Sequence, residues 1–349
     1  MSAVRRSYTR PLDIKRGRVD LSHGAGGRAT AQLVEELFIR HLDNPWLRGH
    51  DDSACFEPPP GRLVMTTDSH VVTPLFFPGG DIGCLAVNGT INDVAMAGAT
   101  PLYLAAGFIL EEGFPLSELE RIVASMAQAA TIAKVPVIAG DTKVVEHGKG
   151  DGLYLTTTGV GVVPEGVEIG GARARVGDVA IVSGDVGDHG VAILAQREHL
   201  QFESEIRSDT AALHELVAVM LAACPDIRCL RDPTRGGLAT TLNEIAQQSG
   251  VGMLLQESAI PVASMVSAAC EFLGLDPLYS ANEGKLVAVC PAGDAARLLA
   301  AMRAHPLGAH AAEIGACIAD DNHFVQMQTR LGGRRVVDWL SGEQLPRIC

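Results

Sequence analysis

Five short stretches of this 349-residue chain set acids in or beside turns, flanked by small residues: His50-Asp51-Asp52-Ser53-Ala54, Thr66-Thr67-Asp68, Ile91-Asn92-Asp93-Val94-Ala95, Ala139-Gly140-Asp141-Thr142 and Arg231-Asp232-Pro233-Thr234. In α/β folds ligands gather at strand ends and the loops there. Several carboxylates converging on one cleft repel unless divalent cations neutralise them. Mg²⁺ takes one or two carboxylates together with phosphate oxygens and water, so Asp52, Asp68, Asp93, Asp141 and Asp232 are candidate metal ligands of a nucleotide cleft, with Asp51 beside them. The competing reading is that each aspartate caps a helix or makes an Asx-turn.

Familiar phosphate motifs do not explain these acids. Gly148-Lys149 and Gly284-Lys285 are followed by Gly150 and Leu286, so there is no P-loop. Gly24-Ala25-Gly26-Gly27-Arg28-Ala29 fits the dinucleotide pattern, but Asp43, the acid about 20 residues on, sits in a helix exit rather than at the end of a buried strand. The Gly-rich turn remains a candidate anion cradle. His23 and His189 are read either as phosphate contacts or as caps.

The elements that must hold these turns alternate along the chain. Apolar periodicity gives a helix over 28–42, a strand over 63–67, a helix over 81–98, a strand over 102–110, a helix over 116–134 and strands over 135–139 and 153–163. A turn-rich stretch, 164–177, precedes a second series: strands over 179–183, 252–256 and 285–290, and helices over 210–223, 237–249, 262–273 and 294–304. This is an α/β (α+β) chain of two domains, 20–165 and 170–331, after a basic arm (1–19) read as solvated and before a mobile tail (332–349).

Composition excludes several classes. Lys and Arg total 28 against 41 Asp and Glu, a formal charge of −13 that repels nucleic acid and anionic lipid. The best apolar run, Leu102 to Leu110, is too short to span a membrane. The eight cysteines are scattered without metal or disulfide spacing, which suits a reducing cytoplasm, and those before the last are expected to pack in cores.

Taken in order, Asp51-Asp52-Ser53-Ala54, Thr67-Asp68-Ser69, the run from Asn88 to Ala99, Ala139 to Val145, Gly187-Asp188-His189-Gly190, Arg231 to Leu238 and Asn282-Glu283-Gly284-Lys285-Leu286 resemble the ATP-binding superfamily of aminoimidazole ribonucleotide synthetase, selenophosphate synthetase and thiamine monophosphate kinase. Within it, Pro346-Arg347-Ile348-Cys349 is similar to the end of the hydrogenase maturation factors of the HypE family. The resemblance implies a two-domain aminoimidazole ribonucleotide synthetase-like fold, a homodimer whose N-terminal domains form a β-barrel, and ATP with Mg²⁺ between domains, contacted also by Asn92 and Thr234.

It further implies a reaction. Cys349 receives a carbamoyl group from HypF, ATP drives its dehydration to a thiocyanate, and the cyano group passes to iron on a HypC–HypD complex. Expelling the carbamoyl oxygen requires its phosphorylation, for which Lys143 is the candidate cation, and the nitrogen must lose protons, for which Glu283 is the candidate base. A superfamily kinase or ligase acting on a diffusible small molecule is the alternative.

Overall fold

The computed structural model describes residues 10–200, 202, 205–342 and 347–348. Cys349, residues 1–9 of the arm and most of Pro346-Arg347-Ile348-Cys349's neighbours (343–346) therefore lie outside the described residues.

The N-terminal region is a four-stranded sheet, β1 (Arg62–His70), β4 (Thr100–Glu111), β5 (Val137–Val145) and β6 (Leu153–Val163), in the order β1-β6-β4-β5, with a short β2 (Phe76–Phe77) and β3 (Gly80–Asp81) pairing apart from it. It is an open sheet; no closed barrel forms among the described residues. Two helices, Ile82–Met96 and Leu116–Ala133, supply much of its core, including Leu85, Ile91, Leu119 and Ile122. The first is capped by Asp81, whose carboxylate accepts from the amides of Gly83 (2.8 Å) and Cys84 (3.2 Å). This helix lies so close to β6 that a Cβ at Gly161 would sit 2.4 Å from Val94 Cγ1. Gly159 and Gly161 of β6 are thus a packing requirement, and the close approach they allow brings Asp93 to the sheet.

Pairing register assigns each strand residue to a face. Asp68, Thr157, Ala106 and Gly140 form one row across the sheet, on the helix-covered side where Thr157 Oγ1 donates to Ala86 O. Ser69, Thr156, Gly107 and Asp141 form the adjacent row, facing the opposite way.

The C-terminal region is a seven-stranded mixed sheet, order β13-β12-β9-β11-β7-β10-β8, from β7 (Asp178–Val182), β8 (Cys229–Arg231), β9 (Gly252–Gln256), β10 (Val287–Pro291), β11 (Ala312–Ile318), β12 (Val325–Gln328) and β13 (Arg334–Val336). Helix Gly237–Ser249 packs one face; helices His214–Ala223 and Ala295–Arg303 pack the other.

Both chain ends depart from the sequence expectation. The described part of the arm is anchored: Leu12 N donates to Glu36 Oε2 (2.6 Å), Arg18 Nη1 to Gly113 O (2.6 Å), and Val19 is buried. In the tail, β13 extends the sheet and Val337 is buried, while Arg347 and Ile348 are seated against the body. These segments lack a periodic pattern because they are held by backbone bonds and single apolar side chains, which periodicity does not register. Of the cysteines expected in cores, five are buried, Cys84 is half-buried and Cys55 is exposed.

Candidate functional site

The acid turns assemble as two groups rather than one. The first lies where the two regions meet. Asp68 reaches it from β1, Asp93 from the buried helix, Asp232 from the turn after β8, and Glu283 from the turn before β10. Thr66 Oγ1 donates to Asp93 Oδ2 at 2.8 Å, and Asp68 Oδ2 is 3.5 Å from Nε2 of the buried His70. Gly89 leaves the space between them open, since a Cβ there would stand 3.7 Å from Asp68 Oδ2 and 3.9 Å from Glu283 Oε2.

Burial and mutual repulsion raise the proton affinity of Asp93, Asp232 and Glu283. Desolvation raises Asp93, with Asp68 adding to it. Asp232, on the partly accessible wall of the cleft, is pushed up to about 7 by desolvation and then by Asp93. Glu283 is raised well above the usual carboxylate range by burial, then by Asp209, Asp232, Asp68 and Asp93, and its Oε1 has no hydrogen-bond partner among the described residues. The Arg231 guanidinium offsets this only in part for Asp93 and Asp232. Among the described residues no three acidic, histidine or cysteine side chains stand at metal-ligand spacing.

The turn bearing Glu283 is pinned on both sides. Asn282 Nδ2 donates to Pro233 O (2.8 Å), tying it to the Asp232 turn, and its Oδ1 accepts from Gly187 N (2.8 Å). Asp209 accepts from the amides of Glu283 (3.0 Å) and Gly284 (3.3 Å) and from Lys285 Nζ (3.0 Å). Asn92 does not face this cleft as a free ligand: its amide is spent on backbone, accepting from Leu213 N (2.8 Å) and donating to Ala211 O (3.0 Å) and Glu283 O (3.3 Å). Thr234 closes the Asp232 turn through its own backbone, N to Asp232 O at 3.0 Å.

The second group lies at the β5 edge of the N-terminal sheet, where the cavity wall also includes Ala106 and Gly140 of the helix-covered row. Asp51, Asp52 and Asp141 line a cavity of about 280 Å³ with Phe38, Trp46 and Thr142. Lys143 Nζ bonds Asp141 at 2.8 Å, and both side chains are largely exposed. That lysine bond holds the Asp141 carboxyl below the usual range. Within one chain, then, Lys143 is not gathered with Glu283.

The histidines separate cleanly. His23 is a cap, its Nδ1 accepting from Asp20 N (3.0 Å). His189, fully buried inside helix Asp188–Arg197, bonds the tail instead: Nε2 to Ile348 O at 2.7 Å, with Nδ1 on Ser208 Oγ at 2.7 Å. Arg347 O accepts from Thr73 N (3.1 Å) and Arg197 Nη2 (2.9 Å), and the Arg347 guanidinium pairs with Asp151. Sequence reading passed over Asp209 and Ser208, neither of which sits in a glycine-flanked acid turn, and gave Asn282 no role of its own within the motif that carries it.

The models of the AIR synthase related protein N-terminal and C-terminal domains match residues 50–163 and 175–328. The chain is 69% identical to the carbamoyl dehydratase HypE of Cupriavidus necator over 347 residues, covering 99% of each. Among solved structures it is similar to a hydrogenase maturation protein HypE in complex with ATP, at 50% identity and a TM-score of 0.91, covering 94% of this chain and 99% of that one. It is also similar to a chain of a HypE–HypF complex, at 46% identity and a TM-score of 0.78 over 88% and 99%.

Proposed function

The chain belongs to the carbamoyl dehydratase HypE family, and on that premise we propose that it uses ATP to dehydrate an S-carbamoyl group on the Cys349 thiol to a thiocyanate, the source of a cyanide ligand for a nickel–iron hydrogenase. The observation that carries this reading is the seating of Ile348 against His189, one residue from the expected thiol. His189 is in turn bonded to the loop whose Asp209 holds Glu283.

Hydroxide is a poor leaving group, so the carbamoyl oxygen takes the γ-phosphoryl group of ATP and departs as phosphate while the C≡N bond forms. Both nitrogen protons leave, one to a base and one to the released phosphate. Glu283 suits the base: it is buried, its Oε1 is unpartnered, and its affinity for a proton lies well above that of a solvated carboxylate. Asp68, Asp93 and Asp232 would hold Mg²⁺, which supplies charge neutralisation at the phosphates.

The homodimer in this reading uses the outer sheet face. Leu63, Met65 and Ile109 are exposed there by 62%, 75% and 43%, far more than isolated surface apolars require. Pairing that face with a second copy buries them and puts Asp141 and Lys143, on the same face, at the interface. HypF is the carbamoyl donor and a HypC–HypD complex the cyanide acceptor. No described helix is long and apolar enough to cross a membrane, and cytoplasmic assembly is part of the proposal.

The test is the mass of the C-terminal peptide after incubation with HypF, carbamoyl phosphate and Mg-ATP. Loss of one water from a carbamoylated Cys349, matched to phosphate release, is expected. ATP consumption that is indifferent to Cys349→Ala would instead favour a kinase for a diffusible substrate.

A further inference from the structure

The bonds around the penultimate residue form a closed chain of donors and acceptors. His189 is fully buried, and burial lowers its pKa, so the ring is neutral and carries one N–H. Ile348 O can only accept, which places that hydrogen on Nε2. Nδ1 must then accept from Ser208, whose hydroxyl therefore points its hydrogen at the ring and receives the amide of Thr210 at 3.2 Å. No polar atom in this relay is left without a partner. Phe77 stands edge-on to the ring, centroids 5.6 Å apart and 90° between planes, and fixes its orientation. Ile348 is itself 5% exposed, within the same apolar cluster as Ile193 and Ala281.

The relay ends on machinery already described. Ser208 precedes Asp209, which grips the Glu283 turn, and Gly190, next to His189, donates its amide to Ala281 O at 3.0 Å, two residues before Glu283. The Ile348 carbonyl is thus referenced to the turn that carries the base. Arg197 adds a second hold from the same helix, through Arg347 O.

We propose that His189, oriented by Ser208, is a positioning residue: it clamps the Ile348 carbonyl beside the turn that carries Glu283, and conversion of a carbamoyl group loaded on the tail depends on that clamp. This rests on the dehydratase reading of the tail, but the clamp has a readout that does not. The Arg347–Ile348 bond is a trypsin site, and a seated Ile348 shields it. Replacing the ring by an apolar group of similar size removes the donor to Ile348 O and the acceptor of the Ser208 hydroxyl hydrogen, and a lost buried hydrogen bond changes the seating equilibrium about tenfold.

The experiment uses the full-length chain as His189→Leu, His189→Gln and Ser208→Ala. Two rates are followed by mass spectrometry: tryptic loss of the Ile348-Cys349 dipeptide, and conversion of HypF-loaded carbamoyl to thiocyanate. His189→Leu should speed dipeptide loss about tenfold and slow conversion by a similar factor while HypF still loads the thiol. Glutamine, whose amide can donate at the Nε2 position and accept from Ser208, should restore most of both. Ser208→Ala, the milder change, should move both rates the same way by about threefold and stands in if His189→Leu fails to fold. Wild-type dipeptide loss in the leucine variant, or faster loss with conversion unchanged, overturns the proposal. If the unmodified chain itself never converts a loaded carbamoyl group, the dehydratase reading fails, while the trypsin rates still decide whether the clamp exists.

Discussion

The two faces of the N-terminal sheet carry the same kind of residue into opposite states. Asp68 and Asp141 lie only one register step apart across β1, β6, β4 and β5, yet the pleat sends them to different sides. Inside, Asp93, Asp232 and Glu283 crowd together, and burial with mutual repulsion raises their proton affinities despite the nearby Arg231 guanidinium. Outside, Asp141 finds Lys143 and solvent, and its proton affinity falls. An acid-bearing turn is therefore not one signal. The inner acids are arranged at an electrostatic cost, whereas Asp141 has its charge offset by Lys143.

The largest effect that would sharpen this contrast is on turnover. Glu283→Gln should lower conversion of the carbamoylated tail by roughly 10²–10⁴-fold, the usual contribution of a general base. Melting temperature should hold or rise, because one repelling buried carboxylate is gone. Conversion at the normal rate would return Glu283 to the rank of a buried structural acid.

A second effect concerns pH. Asp232 is raised from 3.8 to about 7 in the folded chain, so folding binds its proton more tightly than the unfolded chain does. Its stabilising contribution is fully present below about pH 4 and is lost as pH climbs towards 7. In metal-free buffer the melting temperature should decline across that window, and Asp232→Asn should flatten the decline; Asp141→Asn should not. Mg-ATP should flatten it as well if the inner acids are the ones that hold the ion. Identical pH profiles in Asp232→Asn and the unmodified chain would erase the distinction between the faces.

How far the sequence disclosed this difference can be read from particular residues. The helix over 237–249 and the strands over 153–163 and 252–256 coincide with the observed elements, because their apolar periodicity is set by the cores they face. Helix Asp188–Arg197 was missed because Gly184-Asp185-Val186-Gly187 reads as a loop, and strands β11 to β13 because they are short and partly exposed. The inner acids were all legible as types. Their separation from Asp141 was not, since it depends on cross-strand register, and that of Asp51 and Asp52 depends on which sheet edge their loop meets; neither long-range property leaves a trace in local spacing. Nor was the seat of the tail, which is made of backbone carbonyls meeting His189 and Arg197.

The third effect breaks the outer face alone. Met65→Asp puts a charge in the middle of an apolar patch that the homodimer would cover, and light scattering should report the single-chain mass with the inner cleft still folded. A dimer unaffected by this change would mean that copies associate through some other surface.

The smallest effect, and the finest probe of the comparison, is Asp141→Asn. The Asp141–Lys143 pair is 69% and 65% exposed, so its loss should change stability by no more than about 0.5 kcal/mol. Its effect on Mg-ATP affinity, read by calorimetry, should depend on the partner. In the dimeric chain the outer acids would sit at an interface between copies, and removing one should weaken binding measurably. In the Met65→Asp background the same substitution should add nothing, because the face it serves has no second copy to meet. The two changes are far from additive on this account, and that non-additivity is the signature sought. If Asp141→Asn weakens Mg-ATP equally in both backgrounds, the outer acids act within one chain, and the cavity beside Phe38 and Trp46 serves the nucleotide without help from a second copy.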